Sequence, residues 1–381
     1  MAMVTDPYID AQIQPIINYY NQMELELIID IAKRFANYDE VSGSLEWHLK
    51  KLDELGGLTQ SALKIIARYS GKAEYELAKM LKKAGFYNID ANLFKEAFSK
   101  GVITVDPVKM LESPAIAATI EQSYIDTKQA YKLIQTKAIE ATQQAYMDVL
   151  NTAYLNTSSG FYDYQTSIKK AIQRMASKGI TGATYNRGGT IVRYSIEGTV
   201  RRDTLTAVHQ LANRVSLQGC KETGVDYVEV SKHIGARISL KNPIANHYGW
   251  QGEIYKIDGQ DDKYRNLKEA TGYPDDIQGL GGVNCRHRIF PFFIGISIPN
   301  PIHYDEEENK RVYELNQKQR KMERDIRNLK KKYAAAKAIN DTDTMKFIDA
   351  KLKVKYQQIN DFCKVNGLKR DYSRELIAEQ I

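Results

Sequence analysis

The chain has 381 residues, enough for two or three domains, and 43% of them are hydrophobic, an ordinary share for a globular protein. Its net charge of +7 is modest, and no apolar run approaches the roughly 20 residues that a membrane span needs. The opening MAMVTDPYIDAQ has neither the basic start nor the apolar core of a signal peptide, and Cys220, Cys285 and Cys363 are odd in number and far apart, so the expectation is no membrane, no disulfide framework and a reducing compartment.

Residues 1–180 read as helix after helix. Asp6 and Pro7 make an N-cap and first-turn pair. Ile9, Ile13, Ile16, Tyr20, Met23 and Leu27 then keep a helical stripe past Pro15, where the helix is expected to kink or restart. SGSLEWHLKKLDELGG has a serine cap and a Gly-Gly stop, and TQSALKIIARYSG and KAEYELAKMLKKAG each end on glycine, which predicts three short helices. A longer helix is predicted over AIAATIEQSYIDTKQAYKLIQTKAIEATQQAYMDVLNTAY, and another over YDYQTSIKKAIQRMASKG.

The texture changes near residue 180. TGATYNRGGTIVRYSIEG predicts a short hairpin, TVRRDTLTAVHQLANRVSLQGCKETG a helix and VDYVEVSKH a strand. From there to Pro301 periodicity is weak and Gly, Asn, Asp and Pro are frequent, as in a compact, loop-rich α+β unit. Val312, Leu315, Gln319, Met322, Ile326, Leu329, Tyr333 and Ala336 then alternate spacings of three and four. NDTD breaks this seam at 340–343, and Met345, Ile348, Leu352, Ile359 and Phe362 resume it, which predicts a helical hairpin. The expected class is therefore mainly α with a small α+β core: a helical N-terminal region (1–180), a compact α+β domain (181–300) and a C-terminal basic helical hairpin (301–381).

The central unit carries three ordered motifs: VSKHIGAR (230–237), NHYGWQGEIY (246–255) and GLGGVNCRHRIFPF (279–292). This order resembles the phage minor capsid protein 2 family, related to Mu-type head-morphogenesis proteins. The matching positions are His233, Gly235, Ala236 and Arg237; His247, Trp250, Gln251 and Gly252; and Asn284, Cys285, Arg286, His287, Pro291 and Phe292. YYNQMELELIIDIAKRF also looks like the family's opening. ISLKNPIAN lengthens the gap between Arg237 and His247, and Gly281 stands where many relatives have a second cysteine. The resemblance implies a structural protein of the virion, at the capsid interior or portal region, assembled in the host cytoplasm. Its implied partners are the portal or major capsid protein, with packaged double-stranded DNA as a further candidate and no membrane.

Chemically, His233, His247, Cys285 and His287 form a candidate zinc set, since Zn²⁺ favours imidazole and thiolate in fours. The bland alternative is preferred: no cofactor, histidines bonded to backbone, Cys285 simply buried. The two-residue Cys-x-His spacing is read as separating the side chains on an extended segment, which counts against a nucleophile pair. Arg237, Arg286 and Arg288 are expected to pin loops through backbone carbonyls or acidic partners.

Mu-type relatives are sometimes grouped with ADP-ribosyltransferases, so an NAD-dependent enzyme is the rival class. VRYSIEG offers Arg193 and Ser195, but the Glu-x-Glu pairs lie at Glu24/Glu26 and at 306–308, outside the core, so no enzyme and no catalytic residue are expected. A third class is a DNA-binding accessory head protein. Residues 301–381 carry five of the seven net positive charges, and Lys321, Arg324, Arg327 and Lys331 are the candidate phosphate contacts on an exposed basic face.

Overall fold

The computed structural model describes residues 6–36, 45–86, 89–187 and 189–377. In chain order the elements are α1 (Asp6–Arg34), α2 (Leu45–Ala84), α3 (Ala91–Ser99), α4 (Pro107–Leu111), α5 (Pro114–Ser158), α6 (Tyr164–Lys178), β1 (Thr181–Arg187), β2 (Thr190–Ser195) and α7 (Ile196–Thr223). There follow β3 (Tyr227–Val230), α8 (His247–Trp250), β4 (Ile254–Lys256), α9 (Leu267–Thr271), β5 (Ile289–Pro291), α10 (Glu306–Ala338) and α11 (Thr342–Val365). The protein is mainly α with a small antiparallel β part. No helix among the described residues is long and apolar enough to cross a membrane.

Helix ends are absent at Pro15 and at the glycines of α2. α1 passes through Pro15 without ending, and α2 is one helix of 40 residues rather than three short ones. Gly56, Gly57 and Gly71 each cost an interior helix about 1 kcal/mol relative to alanine. Against that, Trp47 before the first two glycines and Leu58, Ala62, Ile65, Tyr69, Ala73 and Leu77 after them are all buried, so one apolar face continues past the glycines. Burial outweighs propensity here. The serine cap expected before Leu45 and the side chain of Asp6 lie outside the described residues.

The chain divides into two compact units, each discontinuous in sequence. The first comprises Met1–Ile13, Leu77–Gln129 and Arg202–Gln317; the second comprises Gln14–Glu76, Ala130–Arg201 and Lys318–Ile381.

The first unit holds a three-stranded antiparallel sheet of order β4-β3-β5. β3 is central, with Val228 opposite Tyr255 on one side and Pro291 on the other. Val228 and Val230 alternate with half-buried Tyr227 and Glu229, the period-2 pattern of a strand with one face in the core. Pro291, which has no N–H to donate, occupies an edge strand, where that loss is tolerated.

The second unit contains the β1–β2 hairpin and most of the helical hairpin. Ile326, Ile348, Leu352, Ile359 and Cys363 form a buried cluster, flanked by Met322, Leu329, Tyr333 and Phe362. The heptad seam is thus realised from Met322 onward. Val312 leaves it early and lies against Gly235 in the first unit. The break falls at Asn340, in left-handed backbone (φ 56°), followed by Asp341 as N-cap of α11.

Candidate functional site

The three sequence motifs converge beside β3. Leaving that strand, Ser231 donates its N–H to Arg288 O (2.8 Å) and accepts the Arg288 N–H on Oγ (2.9 Å). This zips the segment before His233 to the segment after His287. From α7, Asn213 Oδ1 accepts the Ile289 N–H (2.9 Å), and Gln210 donates to Gly281 O (2.9 Å). From the first turn of α10, Asn309 Oδ1 accepts the N–H groups of Gly235 (2.7 Å) and Ala236 (2.9 Å), while its Nδ2 donates to Ala236 O (2.9 Å). Asn309 is fully buried, so one side chain satisfies a loop that has no ladder of its own. None of Asn213, Gln210 and Asn309 stood out in the sequence, because an isolated asparagine or glutamine on a helix has no motif.

Within this frame His247, Cys285 and His287 meet. All three are buried, and one ligand atom from each lies within 4.8 Å of the others. Cys285 Sγ is 3.6 Å from His287 Nδ1. The far nitrogen of His287, Nε2, is 3.0 Å from Gln251 Oε1. The same Oε1 accepts the backbone N–H of His233 (3.0 Å), which identifies it as the oxygen of the amide. His287 Nε2 must therefore carry the proton, leaving the lone pair on Nδ1, facing the sulfur. His247 Nε2 lies 2.7 Å from the carbonyl of Gln278 and is likewise the protonated nitrogen. Burial pushes His247 down to about 4, opposed by the bond to Gln278 and reinforced by the charges of Arg237 and His233. His287 is held well below the ordinary histidine range, again first by burial. Both imidazoles are neutral at pH 7.

His233 is not part of this three-atom set. Its ring stacks on His287 with centroids 4.2 Å apart, and Trp250 meets His287 edge-on at 4.8 Å. The expectation that the Cys-x-His spacing separates the two side chains is wrong. Residues i and i+2 of an extended segment share a face, and here they touch. Burial now speaks against a nucleophile: Cys285 is 2% exposed and His287 0%, so no substrate reaches the sulfur without opening the fold.

The other motif residues act as pins. Arg237 donates to Gln278 O (3.3 Å) and Val283 O (3.0 Å), binding the two ends of the Gly-rich loop to its own. Trp250 Nε1 donates to Ile244 O (2.9 Å). Gly252 turns the chain at φ 74°, and a Cβ there would meet the Lys232 side chain at 1.7 Å. Asn284 adopts left-handed backbone (φ 59°), which asparagine tolerates better than most residues. Gly281 also has positive φ (72°), a conformation that costs a cysteine more than a glycine. Arg286 is half-buried on the loop, and Arg288 lies over the Phe290 ring at 5.8 Å.

The four candidate phosphate contacts of α10 divide. Lys321 and Arg324 are exposed, but Arg327 and Lys331 are buried. Arg327 pairs with Glu197 (3.3 Å) and Lys331 with Glu24 (2.9 Å), so their charges are neutralised inside the second unit. The basic face is therefore not uniformly exposed as expected. Its acidic partners lie more than 120 residues upstream, where no helical pattern reveals them.

The pattern that defines the family described as phage minor capsid protein 2 matches residues 4–364. The chain belongs to that family. It is also similar to a structural protein of Lactococcus phage LL-H, with 26% identity covering 87% of this chain and 88% of the relative. A structural protein of Lactococcus phage mv4 shares 35% identity over 101 residues, which cover 26% of this chain and 82% of the relative. No solved structure matches the chain.

Proposed function

We propose that this chain is a non-enzymatic component of the virion that binds the portal or the inner capsid surface during head assembly in the host cytoplasm. The observation that carries this reading is the family match along nearly the whole chain, 4–364. The geometry agrees in kind: Arg237, His247 and Trp250 of the motifs spend their polar atoms on the protein's own carbonyls. The rival NAD-dependent reading is less favoured, because the Glu24 carboxylate is buried and engaged by Lys331 and by the N–H groups of Ile180 and Glu197. Pull-down of the cognate portal protein and the cognate major capsid protein by the tagged full-length chain tests the proposal. Retention of either is expected; retention of neither contradicts it.

A second reading, contact with packaged double-stranded DNA, is supported by a different surface from the one expected. A concavity of about 390 Å³ in the second unit is lined by Lys169, Lys170, Arg174, Lys178 and Lys332. Lys332 is shifted downward by burial and then by its neighbour Lys351, the condition of a cation that gains from an anion. Such a groove binds phosphate without reading sequence, and its affinity falls steeply with salt.

A further inference from the structure

We propose that His247, Cys285 and His287 bind one zinc ion that holds the third motif against the second. Three observations converge. The first is the donor set: two buried imidazoles and one buried thiol, with ligand atoms within 4.8 Å of one another, are a chemistry that selects zinc over the hard cations. The second is an edge length. Zn–S near 2.3 Å and Zn–N near 2.05 Å at a tetrahedral angle give an S···N separation of about 3.6 Å. Cys285 Sγ and His287 Nδ1 stand 3.6 Å apart.

The third is the surrounding shell. Metal-bound histidines donate their other ring N–H to a carbonyl or carboxylate, which fixes both tautomer and ring orientation. His287 does so to Gln251 Oε1 and His247 to Gln278 O. Gln251 is oriented in turn by the His233 N–H. Closing the remaining edges, now up to 4.8 Å, onto one ion takes side-chain shifts of about 1 Å. On binding, hydrated zinc exchanges its waters for the two imidazole nitrogens and the Cys285 thiolate, keeps one water as fourth ligand, and releases the thiol proton to solvent.

The test uses the full-length chain expressed with added zinc. Elemental analysis should find one zinc per chain, lost in Cys285→Ala and in His247→Ala. Gln251→Leu should keep the ligands but weaken zinc affinity about 10- to 100-fold, measured by competition with a chromogenic chelator. Exchange of the parent protein into cobalt(II) should give a thiolate-to-cobalt charge-transfer band. This readout needs no variant and stays decisive if the substitutions impair folding. Zinc-free parent protein that also lacks the cobalt–thiolate band overturns the proposal, as does stoichiometric metal that survives Cys285→Ala in folded protein.

Discussion

Lys331 on α10 and Glu24 on α1 form a buried ion pair, Nζ to Oε1 at 2.9 Å. Glu24 is held from three sides, since Oε1 also accepts the Ile180 N–H (3.0 Å) and Oε2 the Glu197 N–H (3.3 Å). Helix α10 thus contributes to the second unit as a scaffold, and Arg327 and Lys331 are part of that scaffold.

Removing one partner of a buried pair leaves an uncompensated charge, at a cost of about 3–5 kcal/mol. Glu24→Leu strips Lys331 and two backbone donors together, whereas Lys331→Met leaves Glu24 its two N–H bonds. The expected order of destabilisation in chemical denaturation is Glu24→Leu well beyond Lys331→Met. Equal losses would show that the backbone bonds contribute little.

Acid should loosen the same region. Burial opposes ionisation of Glu197, but Arg327, Arg201 and Lys331 outweigh it and hold the carboxyl at about 2, against 4.5 unfolded. A depressed carboxylate stabilises above the unfolded value and loses that contribution as pH falls through the folded one. The drop from 4.5 to about 2 is worth on the order of 3 kcal/mol. Melting temperature should therefore fall between pH 4.5 and 2, more steeply in the parent than in Glu197→Gln. Parallel profiles would remove Glu197 from the account.

Asn309→Ala deletes three hydrogen bonds to the partly buried loop at Gly235 and Ala236. Each backbone group left unsatisfied costs about 1–3 kcal/mol. The amides of residues 235 and 236 should lose exchange protection while β3 keeps its own. Unchanged exchange there would mean that Asn309 is dispensable.

These partners mark the limits of sequence reading. The helical hairpin was legible because heptad spacing is local, and the His/Cys cluster because its residue types are rare and its motifs ordered. Gly56 and Gly57 misled because a stop signal in isolation is indistinguishable from a glycine on the exposed face of a continuous helix. Arg327 and Lys331 misled because Glu197 and Glu24 reach them only through the tertiary fold. Gln251 was visible as a motif letter, but its role in fixing the His287 proton needed the His233 N–H beside it.

For DNA, Lys170→Gln, Arg174→Gln and Lys178→Gln in one variant should abolish weak low-salt retention of double-stranded DNA and flatten its salt dependence. Lys321→Gln with Arg324→Gln should have a smaller effect, and both variants should keep parental helicity by circular dichroism. Retention that depends only on Lys321 and Arg324 would move the contact to α10.

We propose that this chain is built into the phage head. Quantitative mass spectrometry of gradient-purified virions tests it most directly. Peptides from the whole chain are expected, at fewer copies than the major capsid protein. A chain abundant in infected cells but absent from purified virions and from their assembly intermediates would contradict it.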